Sequence, residues 1–325
     1  MIKNEYDLLK TLAVLLVILG HITIIYKDSY EVLEILTTII YIFHMPLFIA
    51  LSGAIYQLGR NNNKYTQFFP FLKNKLRRIL LPFLIVSIMF LTPSLVMLGM
   101  CDSITGCILN ILTGGNCIKH LWFLPALLWI FLIVWILDYF KINTYLGFTG
   151  AIILAILCST SSFDLHYFCI SLAIQNLPYF ILGMLLYKNN NFKHLNTSYG
   201  WAMLIIFTIG QKMTNILIID NFFRIFLACS IIYILMQSAH RIMPISKRIK
   251  ALEIILKNSF AIYLFHVIII FLMHKTLCLP ITVMILLTYT TAIIGSIAIA
   301  KILRIAKLQV IIGETYVSSQ KLAHN

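Results

Sequence analysis

Charged residues are scarce in this chain. Only 11% of its 325 residues are Asp, Glu, Lys or Arg, whereas 61% are hydrophobic. Soluble domains carry about a quarter charged residues, and a soluble core of this size cannot hide so much apolar surface. The composition therefore excludes an ordinary soluble protein and predicts an all-α polytopic membrane protein, in which lipid is the solvent for much of the surface.

Paired cysteines are also lacking. None of the seven cysteines stands in CxxC spacing, so the sequence predicts no metal site of that kind. Cys101, Cys107 and Cys117 share one predicted loop, in which an oxidising compartment would permit one disulfide. The first apolar run lacks the basic flank and cleavage site of a signal peptide, because Glu5 and Asp7 precede it, and it is interpreted as a retained helix.

Apolar runs long enough to cross a bilayer recur along the whole chain. They predict about ten transmembrane helices in a single domain, residues 1–325, with spans between 8 and 303 and a short tail at 304–325. The predicted spans are 8–26, 35–57, 78–99, 120–137, 145–161, 168–187, 199–218, 221–239, 258–274 and 280–303.

The net charge of +14 does not indicate a nucleic-acid-binding protein, because no such motif accompanies it. Most Lys and Arg residues fall in alternate connections, and the other connections hold only Lys27, Lys119 and Lys275. By the positive-inside rule, this asymmetry places the N-terminus, the C-terminus and the basic loops in the cytoplasm. Lys212 and Arg224 are left within predicted spans.

Acidic residues are missing from the middle of every predicted span, whereas His21, His44 and His266 all lie within one. Ionisable groups inside a membrane are costly and mark candidate functional sites. Proton-coupled transporters usually relay protons through buried carboxylates, so this pattern disfavours them. Imidazole titrates near neutral pH and suits general acid–base catalysis instead.

Lys10 and His21 are eleven residues apart, which places both on one helix face about 16 Å apart along the axis. A snorkelling lysine and an unrelated histidine would give the same pattern. In the next span, Pro46 frees a backbone carbonyl close to His44, and Ser52 with Gly53 permits close helix packing. A packing kink is the structural alternative for that segment.

Three further segments each have two interpretations. The basic run with Lys75, Arg77 and Arg78 suits either lipid headgroups or an anionic ligand such as a phosphate. His120 and Trp122 open a span and fit either an interfacial belt or a site. Tyr263 and His266, with Ser259, follow one helix face, either as a polar stripe between helices or as part of a site. These segments are the remaining candidates for site residues.

In this order and spacing, the segments resemble the acyltransferase 3 family of membrane-bound O-acetyltransferases, whose bacterial members acetylate surface glycans. The resemblance covers about residues 5–303. Its landmarks are Asp7–Lys10 with His21, Phe43–Gly53, Lys75–Pro82, His120–Leu124, Asn176–Phe180 with Gly183, and Ser259–His266. Lys10 stands where many members have arginine, and the glutamate that many carry after Trp122 is absent. No appended periplasmic esterase-like domain is expected.

The resemblance implies acetyl-CoA as acyl donor and a saccharide hydroxyl as acceptor, in an O-antigen, a capsule or a polyprenyl-linked precursor. It also implies the inner membrane of a bacterium. On this basis, we expect His21 to be the general base or the carrier of the acetyl group and His44, as second choice, to orient or share its proton. The basic residues Lys75, Arg77, Arg78 and Lys10 are the expected ligands of the donor phosphates. Ser52, His120, Trp122, Tyr263 and His266 would line the site.

Two alternatives stay open from the sequence. A transporter or flippase for a lipid-linked glycan fits about ten apolar spans equally well, with Lys212 and Arg224 as ligands of a pyrophosphate headgroup. An inactive scaffold is the other, although the motif histidines are present.

Overall fold

The computed structural model describes residues 5–97, 99–113, 120–160, 167–188, 196–246 and 249–315. Every regular element in these ranges is helical. Eleven helices follow one another: α1 Glu5–Tyr26, α2 Glu31–Asn61, α3 Phe68–Met97, α4 Ile104–Thr113, α5 Phe123–Tyr139, α6 Thr144–Thr160, α7 Ile170–Lys188, α8 Thr197–Lys212, α9 Leu217–Ser246, α10 Lys250–Thr276 and α11 Ile281–Ile305. Two π-helical turns, Leu76–Leu80 and Ser87–Leu91, interrupt α3.

Eight helices of the described chain are long and apolar enough to cross a membrane, namely α1, α2, α3, α5, α7, α9, α10 and α11. The prediction of an all-α polytopic membrane protein is confirmed. The other two predicted spans are also helical, but α6 has 17 residues and α8 has 16. Both are shorter than the roughly 20 residues that a perpendicular crossing needs.

Helix boundaries depart from the sequence prediction where polar residues continue a helix. Helix α3 begins at Phe68, ten residues early, so the basic run of Lys75 and Arg78 is helical. Conversely, Lys212 ends α8 and Arg224 lies two turns into α9, so neither is deep in a span. Helix α4 was missed because it is only ten residues long.

Cysteine pairing is not seen in the described residues. Cys107 is buried in the main apolar cluster, and the partly buried Cys101 packs against it. Cys117 lies outside the described residues, so the predicted option of a disulfide in this loop is not tested for it.

One end of the bundle, here called the basic end, is held together by ionic contacts. Asp138, at the end of α5, accepts a hydrogen bond from Tyr56 Oη at 2.8 Å and pairs with Arg60 Nη1 at 2.8 Å, which ties α5 to α2. Arg304, at the end of α11, binds Asn258 of α10 at 2.8 Å and the carboxylate of Glu314. The chain after α11 therefore folds back onto the bundle.

Helices α2 and α7 cross with their backbones in contact. A Cβ atom on Gly53 would lie 1.9 Å from the carbonyl oxygen of Phe180, and one on Gly183 would lie 1.8 Å from that of Ala50. Any larger residue at either position would clash with the facing backbone, so both positions require glycine. Tyr56, Phe131 and Phe180 pack beside this crossing with ring centroids 5.3–6.0 Å apart.

A histidine-lined cavity as candidate active site

A cavity of about 530 Å³ lies between α1, α2, α6, α7, α9 and α10. Its lining comes from the helix ends opposite the basic end: His21 is near the end of α1, His120 directly precedes α5, and Ser159 is near the end of α6. We call this the histidine end. The polar lining residues are His21, Tyr41, His44, His120, Trp122, Ser159, Gln175, Asn176, Tyr179, Asn221, Arg224 and Tyr263.

Histidines from four separate segments meet at this cavity. The ring centroid of His21 lies 5.2 Å from that of His266 and 6.2 Å from that of His120, and the His120 and His266 centroids are 5.1 Å apart. His44 joins through Tyr41, whose ring centroid lies 4.8 Å from His44 and 6.3 Å from His21. Residues separated by up to 245 positions in the chain thus form one imidazole cluster.

Backbone carbonyls fix the proton positions on three of these rings. Only an N–H group can bond to a carbonyl oxygen, so each ring nitrogen that contacts one carries the proton of the neutral imidazole. His44 Nδ1 bonds to Ile40 at 2.7 Å, and His266 Nδ1 bonds to Ile262 and Tyr263 at 2.9 Å. His44 and His266 therefore hold their Nε2 lone pairs open.

Two hydrogen bonds hold His120 against α10. Its Nε2 donates to the Leu264 carbonyl at 3.3 Å, while its own carbonyl accepts a hydrogen bond from Tyr263 Oη at 2.6 Å. This exchange fixes the segment before α5 against α10. Its proton is on Nε2, which leaves Nδ1 as the open nitrogen.

Two of the open nitrogens are buried without a hydrogen-bond partner in the described chain, namely His120 Nδ1 and His266 Nε2. Leaving a buried polar atom unpaired costs about 1–3 kcal/mol. Each such atom requires an explanation, and a catalytic or binding role is one of them. His21, by contrast, is partly exposed to the cavity, and no hydrogen bond holds its ring within the described residues.

The cavity lining contains no carboxylate, and Arg224 is its one formally charged residue among those described. A Ser-His-Asp type of arrangement is therefore not present in this lining. Imidazole is the side chain in this lining that can act as a base near neutral pH. The described residues contain no group of three His, Cys, Asp or Glu side chains placed to hold a metal ion.

The structure brings together most of the predicted site residues. His21, His44, His120, Trp122 and Tyr263 line the cavity, and His266 adjoins His21. Ser52 does not line it, because it lies two turns beyond His44 and its hydroxyl donates to the Phe48 carbonyl at 2.9 Å.

The predicted phosphate ligands lie elsewhere, since none of the four lines the cavity. Lys75 Nζ sits 3.3 Å from the centroid of the Phe131 ring and 5.5 Å from that of Tyr65. Burial raises the pKa of the Tyr65 hydroxyl and the nearby Arg78 charge partly opposes this rise, so Arg78 belongs to the same neighbourhood. Lys10 lies within electrostatic reach of Asp7 in the first turns of α1.

Arg77 lies in a different environment from Lys75 and Arg78. It lines an open leucine groove on the outside of α3 with Leu72, Leu76, Leu80 and Leu84. Adjacent residues on a helix point about 100° apart, which explains why neighbouring arginines differ in this way.

Sequence reasoning marked parts of the second wall of the cavity, with Asn176–Phe180 as a landmark and Arg224 as a cation within a span, but it assigned neither to this site. Gln175, Asn176 and Tyr179 come from α7, and Asn221 and Arg224 come from α9. Polar residues spaced three and four apart in an apolar helix were a usable signal for both sets. Tyr41, which bridges two histidines, carried no signal of its own.

These features define a polytopic membrane protein with a buried imidazole cluster at a polar cavity. The family model described as an acyltransferase domain matches residues 3–304, and the chain belongs to the acyltransferase 3 family. It is therefore a membrane acyltransferase by family. No curated protein and no solved structure matches the chain.

Proposed function

We propose that this protein transfers an acetyl group from acetyl-CoA to a hydroxyl of a saccharide, within the membrane domain. The observation that carries the proposal is the imidazole cluster at a 530 Å³ cavity in a chain of the acyltransferase 3 family. Acyl transfer to an alcohol needs a base for the hydroxyl proton, and imidazole is the base that this cavity offers.

His21 is the proposed base because it faces the cavity without a hydrogen bond from the described chain. The acceptor hydroxyl gives its proton to His21 as its oxygen attacks the thioester carbonyl. The carbon–sulfur bond then breaks, and the CoA thiolate takes the proton from the imidazolium. A second route, in which His21 carries the acetyl group for a time, uses the same residues.

His44 is the proposed second histidine, which orients or shares this proton through Tyr41. Its Nδ1–H is held by Ile40, so its Nε2 can only accept. In place of a carboxylate, backbone carbonyls orient three of the four imidazoles.

The donor phosphates are proposed to bind at the basic end, at Lys75 and Arg78 with Lys10. Coenzyme A is a polyanion, and the positive-inside rule places this end, with both termini, in the cytoplasm where acetyl-CoA is made. Lys10 and His21 are about 16 Å apart along α1, so the pantetheine arm must extend through the domain. Arg77 was predicted with this set, but its leucine groove favours a lipid headgroup.

The proposed acceptor is a surface polysaccharide of a bacterium, or its lipid-linked precursor, and the proposed location is the inner membrane. The flippase alternative is not retained. Of its two cations, Lys212 is the last residue of α8 and does not line the cavity, and the family supports an acyltransferase.

The test is transfer of labelled acetyl from acetyl-CoA to glycan acceptors by the purified protein, with His21→Ala beside it. We expect the variant to fold and insert but to lose about 10²–10⁴-fold in rate. Undiminished transfer by His21→Ala would remove His21 from the mechanism. Absence of transfer by the wild type to any saccharide would contradict the proposed function.

A further inference from the structure

The cavity has two walls of different chemistry. The first carries the imidazoles of His21, His44 and His120, and the proposed function uses it. The second wall, here called the amide wall, consists of Gln175, Asn176, Asn221 and Arg224 from α7 and α9. The proposed acyl-transfer chemistry assigns no role to these four residues.

Hydrogen-bonding groups of the amide wall are left open by the protein. Asn221 Nδ2 is buried and has no partner in the described chain. Asn176 Nδ2 donates to the Leu172 carbonyl at 2.8 Å, which leaves its Oδ1 as an acceptor. An amide donor beside an amide acceptor suits adjacent hydroxyl groups, which both donate and accept hydrogen bonds.

Arg224 adds a positive charge that the cavity does not neutralise from its own lining. Its Nε pairs with Asp220 Oδ2 at 2.8 Å, on the preceding turn of α9. That contact is made through Nε, and the Arg224 side chain is 65% exposed, so the guanidinium is accessible to another partner. The guanidinium fork binds a carboxylate or a phosphate through two parallel hydrogen bonds.

We propose that the amide wall is the acceptor subsite and that it selects an anionic carbohydrate, with a carboxylate or phosphate close to the acetylated hydroxyl. Arg224 holds the anion, and the amides of Asn221 and Asn176 hold neighbouring hydroxyls. The reacting hydroxyl then faces the imidazoles across the cavity. This inference rests on the proposed function, since it names the acceptor for that reaction.

The test compares three acceptors with labelled acetyl-CoA: a uronic-acid disaccharide, its neutral hexose counterpart and a sugar phosphate. We expect the wild type to use at least one anionic acceptor about tenfold better in kcat/KM than the neutral one, as a charge-assisted hydrogen bond provides. The better of the two anionic probes identifies carboxylate or phosphate. The Arg224→Gln variant should lose this preference, with an unchanged KM for acetyl-CoA.

Lys212→Gln is the matched control, because it removes one exposed positive charge from the same end without touching the cavity. It should keep the preference. Asn221→Leu is a second variant, expected to lower kcat/KM for all three acceptors about tenfold. Equal or better use of the neutral acceptor by the wild type, or a preference that survives in Arg224→Gln, would overturn this inference alone. Transfer to none of the three would overturn the proposed function as well.

Discussion

Helices α2 and α7 are in backbone contact toward the basic end and are separated by a cavity toward the histidine end. At Gly53 and Gly183 no side chain fits between them. A few turns away, Tyr41, His44 and Pro46 of α2 face Gln175, Asn176 and Tyr179 of α7 across open space. The same two helices thus provide both the tightest packing and the site.

The difference between the two regions shows how an apolar bundle makes room for polar chemistry. Small residues bring the backbones together at one point, and the helices diverge from there. Pro46 and Pro178 both lie on the cavity side of the crossing, where each removes a helical hydrogen bond. Large side chains and unpaired imidazoles then occupy the space that the divergence opens.

The largest effect is expected at the crossing itself. Gly183→Ala should destabilise the protein by about 3 kcal/mol or more, because its Cβ would meet the Ala50 carbonyl at 1.8 Å and the helices must separate. Gly150→Ala in α6 is the matched control, since nothing lies within 4 Å of its added Cβ. Thermal unfolding in detergent measures both. Equal melting of the two variants would show that the crossing is not tight.

Substitutions in the imidazole cluster should lower the acyl-transfer rate rather than the stability of the protein. His266→Gln removes an imidazole whose open Nε2 faces the cluster, and we expect acyl transfer to fall about 10²-fold. His274→Gln, on the same helix, is the control, because that ring is exposed and packs on Tyr26 away from the cluster, with its Nδ1 3.1 Å from Tyr26 Oη. Near-native rates for His266→Gln would show that His266 contributes to packing and not to catalysis.

Substitutions at the basic end should weaken the affinity for the acyl donor. Lys75→Met keeps the packing on Phe131 but removes the charge, and the KM for acetyl-CoA should rise about tenfold while kcat stays near the wild-type value. Arg77→Met, two residues on in the leucine groove, should leave KM unchanged. A steady-state titration of acetyl-CoA decides this, and identical KM values for both variants would favour a lipid anchor at Lys75.

The smallest effect is expected where the chain folds back after α11. Glu314→Gln weakens the two-point contact with Arg304, whose side chain is 29% exposed, and should cost about 1 kcal/mol. Glu253→Gln is the control, because its pair with Lys257 within α10 is more exposed and is screened by water, so its loss should destabilise the protein less. Chemical unfolding curves compare the two. A larger loss in Glu253→Gln would contradict this ranking.

Much of the bundle was predictable because apolar run length and charge placement act locally. A lipid-facing run must form a helix to satisfy its own backbone, so all ten predicted runs are helices. Prediction failed where local signals were weak. The ten-residue α4 is too short for a span, and the helical start of α3 is too polar to stand out from a loop.

The histidines of the candidate site could also be singled out from the sequence, because an imidazole inside an apolar run is costly and therefore conspicuous. Their arrangement could not. No local rule predicts that His120 and His266, 146 positions apart, have centroids 5.1 Å apart, or that Arg77 leaves the surroundings of Lys75. Both outcomes depend on which faces the helices turn toward one another.

Composition and pattern alone thus determined a membrane bundle with polar groups at particular positions. The reason is that the free energy of transferring a residue from water to lipid depends mainly on that residue's own side chain. Tertiary structure alone decided that α2 and α7 touch at two glycines and part around four imidazoles. The physical reason is that close packing and unpaired nitrogen atoms both depend on how two helix surfaces fit together. Those surfaces come into contact only when segments distant in the sequence have folded against one another.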